Sequence, residues 1–315
     1  RPDATARAAE DAQGARYGNN GRCEDKPSGV MCHEHHCRAR SLQRCQSNDT
    51  LLSAPYCRTA RRDDLLIGAQ TGSNNVGAVA GTAYLMLGST INAGIAAGFS
   101  TWDLSQADAT FLGEENSDGC GRSVASAGDV DGDGLDDLLI GAYRNAHAGP
   151  NAGATYLMLG ATVSAGIATG SSMWDLGQAD ATFLGEAPFD YSGESVASAG
   201  DVDGDGTIDV VAAAQAGNAL YVYFNNGGGG FTISTISDAA KAPSALELTD
   251  VDGDGDLDVV VASFGGELDW YENSGNKFAS TPSHAIATGL QLTKAVGVGD
   301  VGGSARIEFI SASPN

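Results

Sequence analysis

The chain has 315 residues, with 17 Lys and Arg against 40 Asp and Glu and a formal net charge of −23 at pH 7. So strong an acid excess argues against nucleic-acid binding and for cations or basic partners, and no apolar stretch approaches the ~20 residues of a membrane-spanning helix. With 44 Gly, 8 Pro and 42% hydrophobic residues, the composition favours short strands joined by tight turns over a collagen-like or linker-type chain.

The charge is unevenly placed. Residues 1–62 hold 11 Lys and Arg against 7 acids, a net of +4, whereas residues 63–315 hold 6 against 33, a net of −27. Residues 1–57 read as a basic, Cys-rich N-terminal arm and residues 58–315 as an acidic body. The arm carries Cys23, Cys32, Cys37, Cys45 and Cys57, and the body carries Cys120 alone. An even number of cysteines, mostly in a polar segment, predicts disulfides and an extracellular or cell-surface setting. Cys120, in "DGCGRS", is then expected to pin the arm, within one chain or between two. The chain opens on polar residues, so a leader has been removed before Arg1 or export takes another route. "CHEHHC" at 32–37 invites zinc on His33, His35, His36, Cys32 and Cys37, but it lacks the spacing of a metalloprotease helix, and disulfides are the better reading. Asn48 opens the N-glycosylation sequon "NDT", a triplet that also arises by chance.

Along the body, "RRDDLLIGA" (61–69) and "GTAYLMLG" (81–88) lead into "INAGIAAG" (91–98), the one stretch with a helical period. "WDLSQADATFLGE" (102–114) and "SVASAGDVDGDG" (123–134) follow. Then the text repeats 72 residues later: "GATYLMLG" at 153, "WDLGQADATFLGE" at 174 and "SVASAGDVDGDG" at 195. A third acid cluster, "DVDGDGDLDVVVA", starts at Asp250, and a worn copy, "DVGGSARIEFISA", at Asp300. The equivalent last acids, Asp64, Asp137, Asp209, Asp258 and Glu308, are separated by 73, 72, 49 and 50 residues. Between them, runs such as "DLLIGAY", "TYLMLG", "ATFLGE", "IDVVAAA", "ALYVYF" and "FTISTIS" read as strands, about four to a repeat. The expected fold is all-β, a β-propeller of about five four-stranded blades; the rungs of a β-solenoid are much shorter than these steps.

The acid clusters carry the chemistry. In "DVDGDGLDD", Asp129, Asp131 and Asp133 converge in a tight loop turned by Gly134, and the Leu135 carbonyl and Asp137 close the shell. The same spacing groups Asp201, Asp203, Asp205, the Thr207 carbonyl and Asp209, and again Asp250, Asp252, Asp254, the Asp256 carbonyl and Asp258. Several anionic oxygens in a flexible loop suit Ca²⁺ better than Mg²⁺ or Zn²⁺, so three calcium sites are expected. Solvated acidic turns are the plainer alternative, but three copies at one spacing speak against it. An EF-hand is rejected because strands, not helices, flank the loops. In the first register Tyr56, Arg58, Ala60 and Arg62 stand at the ligand positions; in the last, Gly302, Ser304 and Arg306 do. Neither end is expected to bind calcium.

"SVASAGDVDGDGLDDLLIGA" resembles the FG-GAP repeats of the integrin alpha-subunit propeller, and "DVDGDGDLDVVVASFGGELDWYENSGNKF" resembles VCBS-type repeats. The likeness covers roughly residues 58–315. It implies a propeller with calcium loops between the first two strands of each blade, on one face. Integrin-type propellers have seven blades against five registers here, and no RGD ligand is present.

The fifth repeat supplies strands near "LTKAVGVGD" and "RIEFISAS" and is then two strands short. An open blade leaves unpaired edges, so the arm is the available donor, to its own propeller or to a neighbour's. Trp102 and Trp174 occupy equivalent positions, as blade-packing residues or a sugar-stacking pair; Trp270 lies in "LDWYEN". His147 and His284 have no nearby nucleophile motif. The expected function is a non-enzymatic, extracellular, calcium-stabilised adhesion, binding or structural module. Its partners would be a protein or glycan ligand, with no nucleic acid and no membrane insertion. One alternative is a filament subunit that polymerises head to tail through the arm; another is a polysaccharide-active propeller enzyme.

Overall fold

The structure is a computed structural model in which residues 63–71, 80–275, 277–290, 295–299 and 308–312 are described. All of them belong to the unit Thr59–Asn315. The arm, its five cysteines, Asn48 and the histidines of "CHEHHC" lie outside the described residues.

Strands β1 (Leu65–Ala69), β2 (Thr82–Met86), β3 (Ala109–Leu112), β4 (Cys120–Gly128), β5 (Asp137–Ala142) and β6 (Ala154–Met158) cover the first half of the body. Helix α1 (Gly88–Ala96) follows β2, and helix α2 (Gly160–Ala168) follows β6. Next come β7 (Met173–Asp175), β8 (Ala181–Leu184), β9 (Ser192–Gly200), β10 (Asp209–Ala214), β11 (Ala219–Asn225) and β12 (Phe231–Ser237). The chain continues with β13 (Pro243–Thr249), β14 (Asp258–Ser263), β15 (Leu268–Tyr271), β16 (His284–Ala287), β17 (Ala295–Gly299) and β18 (Glu308–Ala312).

These strands form four four-stranded sheets, β1-β2-β3-β7, β4-β5-β6-β8, β9-β10-β11-β12 and β13-β14-β15-β16, and a two-stranded sheet β17-β18. This is the blade architecture of a β-propeller, with the fifth register supplying two strands. Every strand run named from the sequence is a strand. Helix α1 lies where the "INAGIAAG" period placed it; α2, its counterpart in the second repeat, was not anticipated.

The core lies between successive blades, and the two-residue period of each strand divides it. On β5, Ile140 faces the cluster holding Phe111, Tyr156 and Trp174, while Leu139 faces the next one, with Phe183 and Tyr223. Likewise Val210 and Ala212 face backwards to that second cluster, and Val211 and Ala213 forwards to the third. Val259 and Val261 look back, and Val260 and Ala262 forward towards Val296. A strand covered on both faces reads as a continuous apolar run, which is why β10 and β14 are buried at every position.

Two contacts bring blade backbones together. A Cβ on Gly141 would lie 2.2 Å from the Gly193 carbonyl oxygen, and one on Gly68 equally close to that of Gly121. No side chain fits at Gly141 or Gly68, so these glycines allow the blades to close.

One exchange between blades was not legible in the sequence. The first blade takes its fourth strand from the second repeat: β7 pairs in parallel with β3, Phe111 opposite Trp174. Trp174 is buried, its ring centroid 5.7 Å from that of Phe111. The equivalent residues 101–103 of the first repeat form no strand, and Trp102 stays half-buried over Gly94 of α1.

Candidate metal centres

The three acid loops connect β4 to β5, β9 to β10 and β13 to β14, the first two strands of their blades. Asx-type bonds shape each loop. In the first, Asp131 Oδ1 accepts from the Asp133 amide (3.1 Å), Asp133 Oδ1 from Leu135 (2.8 Å) and Asp129 Oδ2 from Gly134 (2.9 Å). The second loop repeats this with Asp203, Asp205 and Asp201 accepting from Asp205, Thr207 and Gly206. The third does so with Asp252, Asp254 and Asp250 accepting from Asp254, Asp256 and Gly255. Glycines at positive φ, Gly134 at 90° and Gly206 at 92°, turn the chain where an L side chain would be strained.

The last acid of each loop is buried and clamps the backbone. Asp137 accepts from the amides of Val130 (2.8 Å) and Gly160 (2.7 Å), so one carboxylate ties the loop to the start of α2. Asp209 does the same for Val202 and Asn225, and Asp258 for Val251 and Asn273. In the first register Asp64 accepts from Gly88 at the start of α1 (2.7 Å). Burial raises the carboxyls of Asp137, Asp209 and Asp258 above the ordinary Asp range, partly offset by these amide bonds, and the neighbouring loop aspartates add to the rise. At Asp205 the Thr207 hydroxyl and amide lower it instead.

Three sets of carboxylates converge: Asp129, Asp131 and Asp137; Asp201, Asp203 and Asp209; Asp250, Asp252 and Asp254. Within each set one oxygen per residue lies within 4.8 Å of the others. Asp133, Asp205 and Asp258 are in their loops but not in these sets. The carbonyls of Leu135, Thr207 and Asp256 belong to the same loops. An observation independent of spacing supports a cation here: Asp129 Oδ1 is buried and has no hydrogen-bond partner. An unpartnered buried carboxylate oxygen is expensive unless a cation meets it. All-oxygen donors of this kind fit a hard divalent ion.

Other residues support the loops and carry no motif. Asn225 donates through Nδ2 to the carbonyls of Val130 (2.8 Å) and Ile208 (3.3 Å), tying the first loop to the third blade. Asn273 donates similarly to Leu257 (3.4 Å). The only sequence signal is an Asn at or just past the end of the third strand, in "YFNN" and "YENS". The repeated "QAD" has a local purpose: Asp108 accepts from the Leu87 amide and the Thr90 hydroxyl, and Asp180 from Leu159 and Thr162, capping α1 and α2 from a distance.

Cys120, expected to pin an arm that lies outside the described residues, sits deep between blades. It is a free thiol with no exposed surface, its Sγ 3.9 Å from the Phe111 carbonyl oxygen in the joint between the first two blades. Burial pushes its thiol pKa far up, the opposite of a reactive cysteine. Gly81 bridges in parallel to Cys120, as Gly153 does to Ser192 one repeat later. Trp270 stacks on His284, with centroids 4.8 Å apart. The ligand positions of the first and last registers, Tyr56 to Arg62 and Gly302 to Arg306, lie outside the described residues.

Among the described residues no helix is long and apolar enough to cross a membrane. No curated protein matches the chain. Among solved structures it is similar to the Tc holotoxin pore of Photorhabdus luminescens, at 21% identity and a TM-score of 0.29 over 60% of this chain and 8% of that one. The FG-GAP repeat family matches residues 121–158, and the FG-GAP-like repeat family matches residues 201–261 and 250–311. The blades built on these acid loops are therefore FG-GAP and FG-GAP-like repeats, set in the blade architecture of a β-propeller.

Proposed function

We propose that the chain is a non-enzymatic, extracellular binding module whose acid loops take up Ca²⁺. The observation that carries the metal reading is the buried, unpartnered Oδ1 of Asp129 within a carboxylate trio that recurs twice more. Asp129, Asp131 and Asp137 would hold the first ion, Asp201, Asp203 and Asp209 the second, and Asp250, Asp252 and Asp254 the third. Bound calcium would offset the crowding of like charges and stiffen loops that stand at blade joints. The binding reading draws on the FG-GAP repeats, which characterise extracellular binding and adhesion propellers, and its ligand would be a protein or a glycan.

The test is thermal unfolding of the full chain, calcium-stripped and in millimolar calcium, for the native sequence, Asp131→Ala and Asp203→Ala. At a hundredfold excess over the dissociation constant, one site adds about 2.7 kcal/mol. Each substitution should remove about one site's share of the calcium-dependent rise in Tm. A rise that survives intact in both variants rejects these residues as ligands.

A further inference from the structure

Leu66, Leu85 and Leu87 of the first blade stand at the same repeat positions as Leu139, Leu157 and Leu159 of the second. The second trio is closed over: Leu139 and Leu157 are buried in a cluster with Phe183 and Tyr223, with Leu159 and Phe231 packed against it. In the first trio Leu85 is likewise buried, beside Phe111 and Tyr156. But Leu66, where its counterpart Leu139 is fully covered, stays half-buried and with Leu87 lines a cleft of about 560 Å³. Helix α2 contributes Val163, Ser164 and Ile167 to its lining. Asp63, Asp64 and Asp136 also line it. A volume of this size lies within the range of ligand pockets, about 300–1,000 Å³.

We propose that this cleft is a docking site for a peptide segment presenting a leucine-sized apolar side chain beside a lysine or arginine. The reading rests on the chain being a binding module, and names the ligand chemistry. Half-buried Leu66, Leu87 and Ile167 and exposed Leu135 offer apolar surface that a side chain would remove from water. The carboxylates, in a body of net charge −27, select a neighbouring cation and steer its approach. An acidic or purely polar segment satisfies only one of these conditions or neither.

The probe is a fluorescein-labelled Leu-Lys-Leu-Lys-Leu peptide, titrated against the full chain in millimolar calcium and read by anisotropy. A Ser-Lys-Ser-Lys-Ser peptide of equal charge is the control. The native protein should bind the leucine peptide at least about tenfold more tightly, a difference of about 1.4 kcal/mol. Ser164→Trp, at an exposed position on α2, should fill the cleft and weaken binding about tenfold. Asp63→Lys, also at an exposed position, should weaken it through charge alone. Equal binding of both peptides, or an affinity unchanged by Ser164→Trp, overturns the proposal. So does a native dimer that Ser164→Trp dissociates, because a second copy would then be the occupant. A protein that gains calcium stability yet ignores the peptide loses this inference and keeps the calcium reading.

Discussion

Arg122 and Glu194 occupy the same position of successive repeats, 72 residues apart, and form an ion pair with each other. The Glu194 side chain is almost wholly buried and the Arg122 guanidinium is mostly so. Tyr143 lies under the guanidinium, 5.6 Å from ring centroid to Cζ, and Gln215 donates to Glu194 from the third blade. Near-identical repeats thus carry opposite charges at one position, and the joint between them uses the difference.

Breaking that pair should be felt. Glu194→Ala leaves the guanidinium unpaired and largely shielded from water, and should lower stability by about 2–3 kcal/mol. Urea unfolding of Glu194→Ala, Arg122→Ala and the double variant reads the coupling. Single losses that simply add in the double variant reject a functional pair.

The two equivalent tryptophans should differ. Trp174 joins blades through β7 and packs against Phe111, so Trp174→Ala should cost about 3–5 kcal/mol. Trp102→Ala, half-buried against helix α1 and outside any strand, should cost clearly less. Equal losses in urea unfolding show that the β7 exchange does not stabilise the joint.

Acidification should act in opposite directions with and without calcium. The folded pKa values of Asp137, Asp209 and Asp258 are raised by burial. Their stabilising contribution is therefore full below the ordinary Asp value of ~3.9 and is lost as pH rises through the raised values. The calcium-stripped protein should gain stability as pH falls through these raised values towards ~3.9. Calcium needs ionised ligands, so its added stability should shrink over the same window. Melting curves at several pH values test this; a calcium effect independent of pH excludes these carboxylates from the site.

The sequence alone determined the repeats, the strands, the acid loops and the first helix, because each is written in local periodicity or a contiguous motif. A 72-residue copy needs no knowledge of where the chain goes next. Tertiary structure decided what happens at the joints. The transfer of β7 to the first blade, the burial of Cys120, the Arg122–Glu194 pair and the Asn225 bridge between blades all join residues far apart in the chain. The same distance hid the cleft beside Leu66 and Leu87, since Leu66 stays half-buried where its repeat counterpart Leu139 is fully covered. Asp137 shows both levels: its motif announced a carboxylate at a loop, and only the fold revealed that it also clamps the amides of Val130 and Gly160. A repeat specifies its own strands, but the surface it buries depends on the repeat beside it.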